Sequence, residues 1–246
     1  MHIVSNDGFS IIIPTYHEAN NLPNLVKRIA QVNFGSRDFE VILADDNSQD
    51  NTLAVAKQLS IQYPWLKLLT RHGKKRDLSQ SILDGYDAAQ YPILITMDAD
   101  LSHPPEKIPD MLTILNDPTV DAVIGSRYIP GGSTDPSWPI TRVFTSKLAA
   151  WIAQFFLRIP VKDPLSGFLA IRKQTLLAGD TLKPIGWKIG LEIIIKCHCH
   201  HIREIPIYFS QRQQGTSKLN VKISFDYLRH ITYLLWHKIT THTAEG

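Results

Sequence analysis

Residues 92 to 100 read Pro92-Ile93-Leu94-Ile95-Thr96-Met97-Asp98-Ala99-Asp100, a short apolar run ending in two carboxylates that flank one small residue. A run of this length suits a buried strand. Side chains alternate along a strand, so Asp98 and Asp100 point to one side. Two carboxylates aimed together repel unless a cation lies between them, and a hard divalent ion is the natural partner. Mg2+ keeps few protein ligands and takes the rest from substrate phosphates and water, so a diphosphate is the expected co-ligand. The plainer reading of the triplet is a polar strand end followed by a helix cap before Pro104-Pro105.

The same pattern recurs upstream. Phe9 to Pro14 reads as a buried strand, after which Leu22, Leu25, Val26, Ile29 and Val32 fall on one helical face. Phe39 to Ala44 is a second strand, and Asn51 to Leu59 begins another helix. Leu66 to Thr70, Pro92 to Met97 and Val120 to Gly125 supply three more strands, with a helical pattern from Leu78 to Ala89. Strands separated by helices imply an α/β fold with a mostly parallel, doubly wound, Rossmann-like sheet flanked by helices. Ligands in such sheets bind beyond the carboxyl ends of the strands. Pro14-Thr15-Tyr16, Asp45-Asp46 and Asp98-Ala99-Asp100 each follow a strand directly, and three polar motifs on one sheet edge define a site.

The second half changes character. Gly131, Gly132, Pro136 and Pro139 mark a loop, and Lys147 to Pro160 is a helix with nearly all-round apolar character. Gly167 to Arg172 and Ile202 to Phe209 look like strands, and Lys222 to Lys238 is a last amphipathic helix. We therefore divide the chain into a main α/β domain over residues 1–220 and a C-terminal amphipathic helix and tail over 221–246, for which a membrane or a partner is the expected neighbour. The long apolar helices suit ordinary core and a bilayer interface about equally. A formal charge of +3 is too small to argue for nucleic acid. The N-terminal residues lack a signal-peptide pattern. No uncharged apolar run reaches the ~20 residues needed to span a bilayer.

Asp46 offers acceptors suited to ribose and base, whereas Asp50-Asn51 reads mainly as turn and helix cap. Arg127 follows a strand, and Arg212 and Lys218 flank Gly215 on a loop that could close on a diphosphate; basic loop residues are otherwise usually just solvated. Cys197-His198-Cys199-His200-His201 tempts a zinc assignment, yet no second ligand pair is visible in the sequence. A helix end with histidines facing the C-terminal dipole is the better reading. Two cysteines this close fit a reducing, cytoplasmic setting.

The motifs Pro14-Thr15-Tyr16-His17-Glu18, Asp45-Asp46-Asn47-Ser48, Asp98 through Pro104, Gly125-Ser126-Arg127-Tyr128, Asp163 through Phe168 and Arg212 through Lys218 occur in family order. On these segments the chain resembles the dolichyl- or polyprenyl-phosphate mannosyltransferases, within the inverting GT-A glycosyltransferases. The resemblance implies that Pro14, Tyr16, Glu18, Ala44 and Asp46 hold the donor nucleoside, and that Asp98, Ala99 and Asp100 face diphosphate and metal. It further implies Arg127, Arg212 and Lys218 as donor-phosphate ligands, Arg142 and Ser146 as receivers of the lipid phosphate, and Asp163 as a group assisting transfer. Glu192 matches an acidic position near the sugar.

The expected donor is GDP-mannose, the cofactor Mg2+ or Mn2+, and the acceptor a dolichyl or polyprenyl phosphate. Three departures stand out. Ser102 replaces a glutamine metal ligand of some members, His17 an asparagine, and Arg76-Asp77-Leu78-Ser79 a glycine-rich turn. Many relatives append transmembrane helices that this chain lacks. It is therefore expected on the cytoplasmic face of a membrane, held by surface contact, a membrane-embedded partner subunit or a tail removed from this sequence. The rival readings are glucosyl transfer, a sugar or protein acceptor, a non-catalytic nucleotide-binding subunit, and a nucleotidyltransferase.

Overall fold

The computed structural model describes residues 7–73, 76–183, 185–211 and 221–242. In the first half, strands alternate with helices: β1 (Phe9–Thr15), α1 (Leu22–Gln31), β2 (Phe39–Asp45), α2 (Thr52–Gln62), β3 (Leu66–Thr70), α3 (Leu78–Ala88) and β4 (Ile93–Thr96). A 3-10 turn at Pro105–Lys107 leads into α4 (Ile108–Ile114) and β5 (Ala122–Ser126). Then come β6 (Ser133–Thr134), α5 (Ile140–Leu157), β7 (Leu169–Arg172), α6 (Lys173–Leu177), α7 (Ile189–Lys196), β8 (Ile202–Pro206), β9 (Tyr208–Phe209) and α8 (Val221–His242).

The main sheet runs β3-β2-β1-β4-β7-β5-β8. Only β7 is antiparallel to its neighbours among the described strands of this sheet, so the mostly parallel α/β reading holds. Alternation along β1 sends Ile11 and Ile13 into one core and Ile12 into the other. The first core is closed by Leu25 and Ile29 of α1, Ala56 of α2 and Met111 of α4. The second is closed by Ile82 and Tyr86 of α3, Leu157 of α5, Ile193 of α7 and Leu234 of α8. Strand order reverses its direction of growth between β1 and β4, the place where open α/β sheets bind ligands.

Two element boundaries differ from the sequence expectation. Helix α5 starts at Ile140 rather than Lys147, because the Pro139 carbonyl already accepts the Arg142 and Val143 amides at 2.9 and 3.2 Å. The expected strand over 202–209 is split: β8 pairs with β5, while β9 leaves to pair with β6. Pro206, which lacks an amide proton, is the last residue in register with Ser126. No helix among the described residues is long and apolar enough to cross a membrane.

Candidate functional site

The loops beyond β1, β2 and β4 enclose a cavity of about 750 Å3. Pro14, Tyr16, Glu18, Asp46, Asp98, Ala99 and Asp100 line it together, as their strand-end positions required. Ala44 does not line it; the residue sits one position inside β2, fully buried between β1 and β3. The Asp45 carboxylate is a turn-former, accepting the Ser48 amide at 2.8 Å and its hydroxyl at 2.6 Å. Asp46 is bound on both oxygens, by Arg71 on one and by the Asp77 amide at 2.7 Å on the other.

Asp98 and Asp100 follow β4. The Asp98 side chain is 31% exposed, whereas Asp100 is 5% exposed and is oriented by the Ser102 amide at 3.1 Å and the Ser102 hydroxyl. Ser102 thus serves Asp100. The Asp98 amide donates to Nδ1 of His103 at 2.9 Å, which puts the ring proton on Nε2. Burial holds the His103 pKa below its ordinary value, against the opposite pull of Asp98 and Asp100. His103 is stacked on Phe168, with ring centroids 5.3 Å apart. Gly167 makes this packing possible: a Cβ there would lie 3.3 Å from both the Asp98 Oδ1 and the His103 Cε1.

Two hard carboxylates on a cavity wall fit a divalent cation that takes its remaining ligands from phosphate and water. Among the described residues no group of three or more His, Cys, Asp or Glu converges on one point, and Cys197 and Cys199 are buried, free thiols. Burial pushes the Cys197 thiol up to about 12.

A second cavity of about 310 Å3 adjoins the first, sharing Asp98, Ser166, Gly167, Trp187 and Lys188 with it. Arg127, Arg142 and Ser146 line this space. Arg127 is gripped by Asp163, with Nε and Nη2 donating to the two carboxylate oxygens at 2.7 Å each. Burial disfavours the charged guanidinium, but the Asp163 hydrogen bonds and charge outweigh it and raise the Arg127 pKa. Asp163 is 0% exposed, with both carboxylate oxygens engaged by Arg127. The Arg142 guanidinium lies 3.5 Å over the Trp138 ring, and Ser146 accepts the Tyr128 hydroxyl at 2.7 Å. Arg212 and Lys218 lie outside the described residues. Glu192 lines neither cavity and is 0% exposed; its carboxylate meets Lys196 at 2.8 Å and the Lys183 amide at 2.6 Å.

The family model for glycosyl transferase family 2 matches residues 10–177, more than half of the chain. The chain belongs to glycosyl transferase family 2. A dolichol-phosphate mannosyltransferase of Pyrococcus furiosus is 41% identical to this glycosyltransferase over 92% of the chain and 63% of that relative. The chain thus spans just under two thirds of the archaeal relative's length. A dolichol-phosphate mannosyltransferase of Mycosarcoma maydis is 34% identical over 94% of the chain and 80% of that protein. The resemblance drawn from the motifs therefore holds. Among solved structures, glucosyl-3-phosphoglycerate synthase of Mycobacterium tuberculosis, in complex with Mn2+, UDP-glucose and phosphoglyceric acid, superposes with a TM-score of 0.69. That match has 16% identity, covers 94% of this chain and 79% of the other, and establishes a shared fold.

Several residues that shape the candidate site escaped sequence reasoning. Arg71 and His103 act on Asp46 and Asp98 from behind, and Lys188, whose ammonium donates to the Leu165 carbonyl at 3.0 Å, stands on the wall between the cavities. Arg71 and Lys188 are lone basic residues outside the quoted motifs and carry no periodic signal, whereas His103 lies inside the segment Asp98 through Pro104 without a role assigned to it by the sequence. Only the fold brings them to the site.

Proposed function

We propose that this glycosyltransferase moves mannose from GDP-mannose to a dolichyl or polyprenyl phosphate, with inversion, at the cytoplasmic face of a membrane. The observation that carries the reading is the pair of adjoining cavities with Asp98 on their common wall. Tyr16, Glu18 and Asp46 surround the nucleoside end of the first, and Asp98 and Asp100 would hold Mg2+ or Mn2+ beside the donor diphosphate. The ion supplies charge stabilisation for the departing diphosphate. Arg142 and Ser146 hold the acceptor phosphate in the second; Arg127, which the resemblance implied as a donor-phosphate ligand, lines this cavity and not the first, and joins them there. An oxygen of that phosphate forms the new bond to the anomeric carbon as the bond to the donor's β-phosphate oxygen breaks on the opposite face. The acceptor is already anionic at neutral pH, so catalysis rests on positioning and charge stabilisation.

Incubation with labelled GDP-mannose or UDP-glucose and a polyprenyl phosphate, with and without divalent ion, tests this. Label is expected in the organic phase from GDP-mannose only, and only with Mg2+ or Mn2+. Label from UDP-glucose instead replaces the sugar; no transfer from either donor removes the reading. Asp100→Ala should abolish transfer while leaving the unfolding midpoint close to that of the parent.

A further inference from the structure

The turn between β3 and α3 carries Arg76 and Asp77 at the mouth of the donor cavity. Asp77 is pinned from three sides. Its amide donates to Asp46 Oδ2 at 2.7 Å, its carbonyl accepts Arg71 Nη1 at 3.2 Å, and its carboxylate caps α3 by accepting the Gln80 amide at 3.1 Å. Arg71, itself 5% exposed, also ties Asp84 of α3 at 2.9 Å. The buried Arg71–Asp46 pair is therefore a fixture that sets the position of residue 77, and with it the backbone of Arg76 directly before.

Arg76 is exposed, lines the donor cavity, and has no hydrogen bond or ion pair to any described residue. Its guanidinium carbon lies 3.8 Å from the centroid of the Tyr16 ring. The other neighbour of that ring is His17, stacked at 4.0 Å with an interplanar angle of 19°. His17 is in turn held by the Gln49 amide, which donates to its Nε2 at 3.2 Å. Three flat groups form a column, and the outermost carries unused donors at the nucleoside end of the cavity. Both oxygens of Asp46 already accept hydrogen bonds that hold the turn. Arg76, not Asp46, is the side chain here with donors to offer a ligand.

We propose that Arg76 selects the donor's base, giving two hydrogen bonds to O6 and N7 of guanine. The inference rests on the donor-cavity reading above and deepens it. A guanidinium has donors only, in a fixed fork, and needs two adjacent acceptors to satisfy that fork. Guanine offers O6 beside N7. Adenine sets an amino donor beside N7, which opposes the fork, and uracil presents a single carbonyl on the equivalent edge. Its place over the Tyr16 ring holds the guanidinium without using its N–H groups.

Equilibrium binding of GDP, 7-deaza-GDP, ADP and UDP to the full chain, in the parent, Arg76→Ala and Arg76→Lys, tests the assignment without turnover. The parent should prefer GDP, and 7-deaza-GDP should bind more weakly because it lacks N7. Arg76→Ala should weaken GDP on the order of tenfold, leave UDP within about twofold, and no longer distinguish GDP from 7-deaza-GDP. Arg76→Lys keeps the charge without the fork and should not restore the preference. Equal losses for all four diphosphates would make Arg76 a phosphate contact or a fold residue and overturn the proposal, as would unchanged GDP binding. A parent that binds no nucleoside diphosphate removes the donor cavity reading itself, an outcome distinct from a parent that binds GDP with Arg76 silent.

Discussion

At the scale of single residues, Gly167 and Asp163 show how little of the site's geometry the reacting groups set for themselves. A methyl group at Gly167 meets Asp98 Oδ1 and His103 Cε1 at 3.3 Å, tight enough to displace a side chain but not to block folding. Misplacement of a reacting group by about 1 Å costs on the order of 100-fold in rate. Gly167→Ala should therefore lose at least tenfold in kcat while its unfolding midpoint stays near that of the parent; equal loss of both would relocate the role of Gly167 to folding. Asp163→Asn differs in kind. Its side chain is 0% exposed and that of Arg127 9%, so the change leaves a buried guanidinium without its counter-charge. Breaking such a pair costs about 3 to 5 kcal/mol. Denaturant unfolding should report a loss of that size together with lost transfer, and a variant of parental stability would show that Arg127 does not depend on Asp163. The sequence offered both residues only as members of a family motif. Their physical reasons, a close approach and a buried ion pair, involve partners far along the chain.

Secondary-structure elements were legible wherever a periodic pattern faced a single environment. Strands β1, β2 and β4 and helices α1 and α3 lie close to where alternation and apolar runs put them. The antiparallel placement of β7 and the short helices α4 and α6 were not legible, because sequence pattern carries no strand direction and a helix of five to seven residues has too few turns to show a period. Helix α8 was visible, but its attachment was not. It is held by a buried polar seam: Glu192 and Lys196 of α7 pair at 2.8 Å, Lys196 donates to the Tyr233 hydroxyl at 2.9 Å, and His230 Nε2 lies 3.4 Å from Glu192. Removing the charge in Glu192→Gln strands Lys196, which is 1% exposed, and should destabilise the seam by about 3 to 5 kcal/mol. Amide exchange over residues 224–241 should rise accordingly; unchanged protection would mean that apolar packing alone holds α8. The seam also carries a pH signature. Burial pushes the Glu192 pKa up, but His230, Lys196 and the Lys183 amide bring it below its ordinary value of 4.5. A depressed carboxylate contributes stability above its unfolded pKa and loses it as pH falls through the folded value. The parent should thus lose stability on acidification below about 4.5 more steeply than Glu192→Gln.

At the scale of the whole molecule, α5 and α8 present one continuous problem: what meets their outer faces. Ile140, Phe144, Trp151 and Phe155 of α5 are 87%, 64%, 54% and 62% exposed, at spacings that put them on one side of the helix. Phe225, Leu228, Trp236 and Ile239 of α8 are 67%, 52%, 65% and 57% exposed. The Tyr227 hydroxyl donates to the Ala149 carbonyl at 2.6 Å and pins the two helices together. Ser146 and Ala149 of α5 and Ser224 and Tyr227 of α8 line the second cavity, the proposed acceptor site, which therefore lies between the helices that carry the apolar faces. Aromatic side chains beside exposed Lys147 and Arg158 suit the headgroup region of an anionic bilayer. A lipid phosphate drawn from that layer could reach Arg142 while its prenyl chain stays against the helices. A double change, Trp151→Ser with Phe155→Ser, alters the outer face and no residue lining either cavity. It should reduce partition into anionic phospholipid vesicles on the order of tenfold or more, since each buried apolar side chain is worth about 1.5 to 3 kcal/mol. Transfer to a vesicle-borne polyprenyl phosphate should fall with it, while turnover of a short, water-soluble prenyl phosphate stays near the parent's. Parental vesicle binding in the double variant would refute this face as the bilayer contact. A parent that ignores vesicles and binds only with a membrane-embedded subunit would give the face to a protein instead.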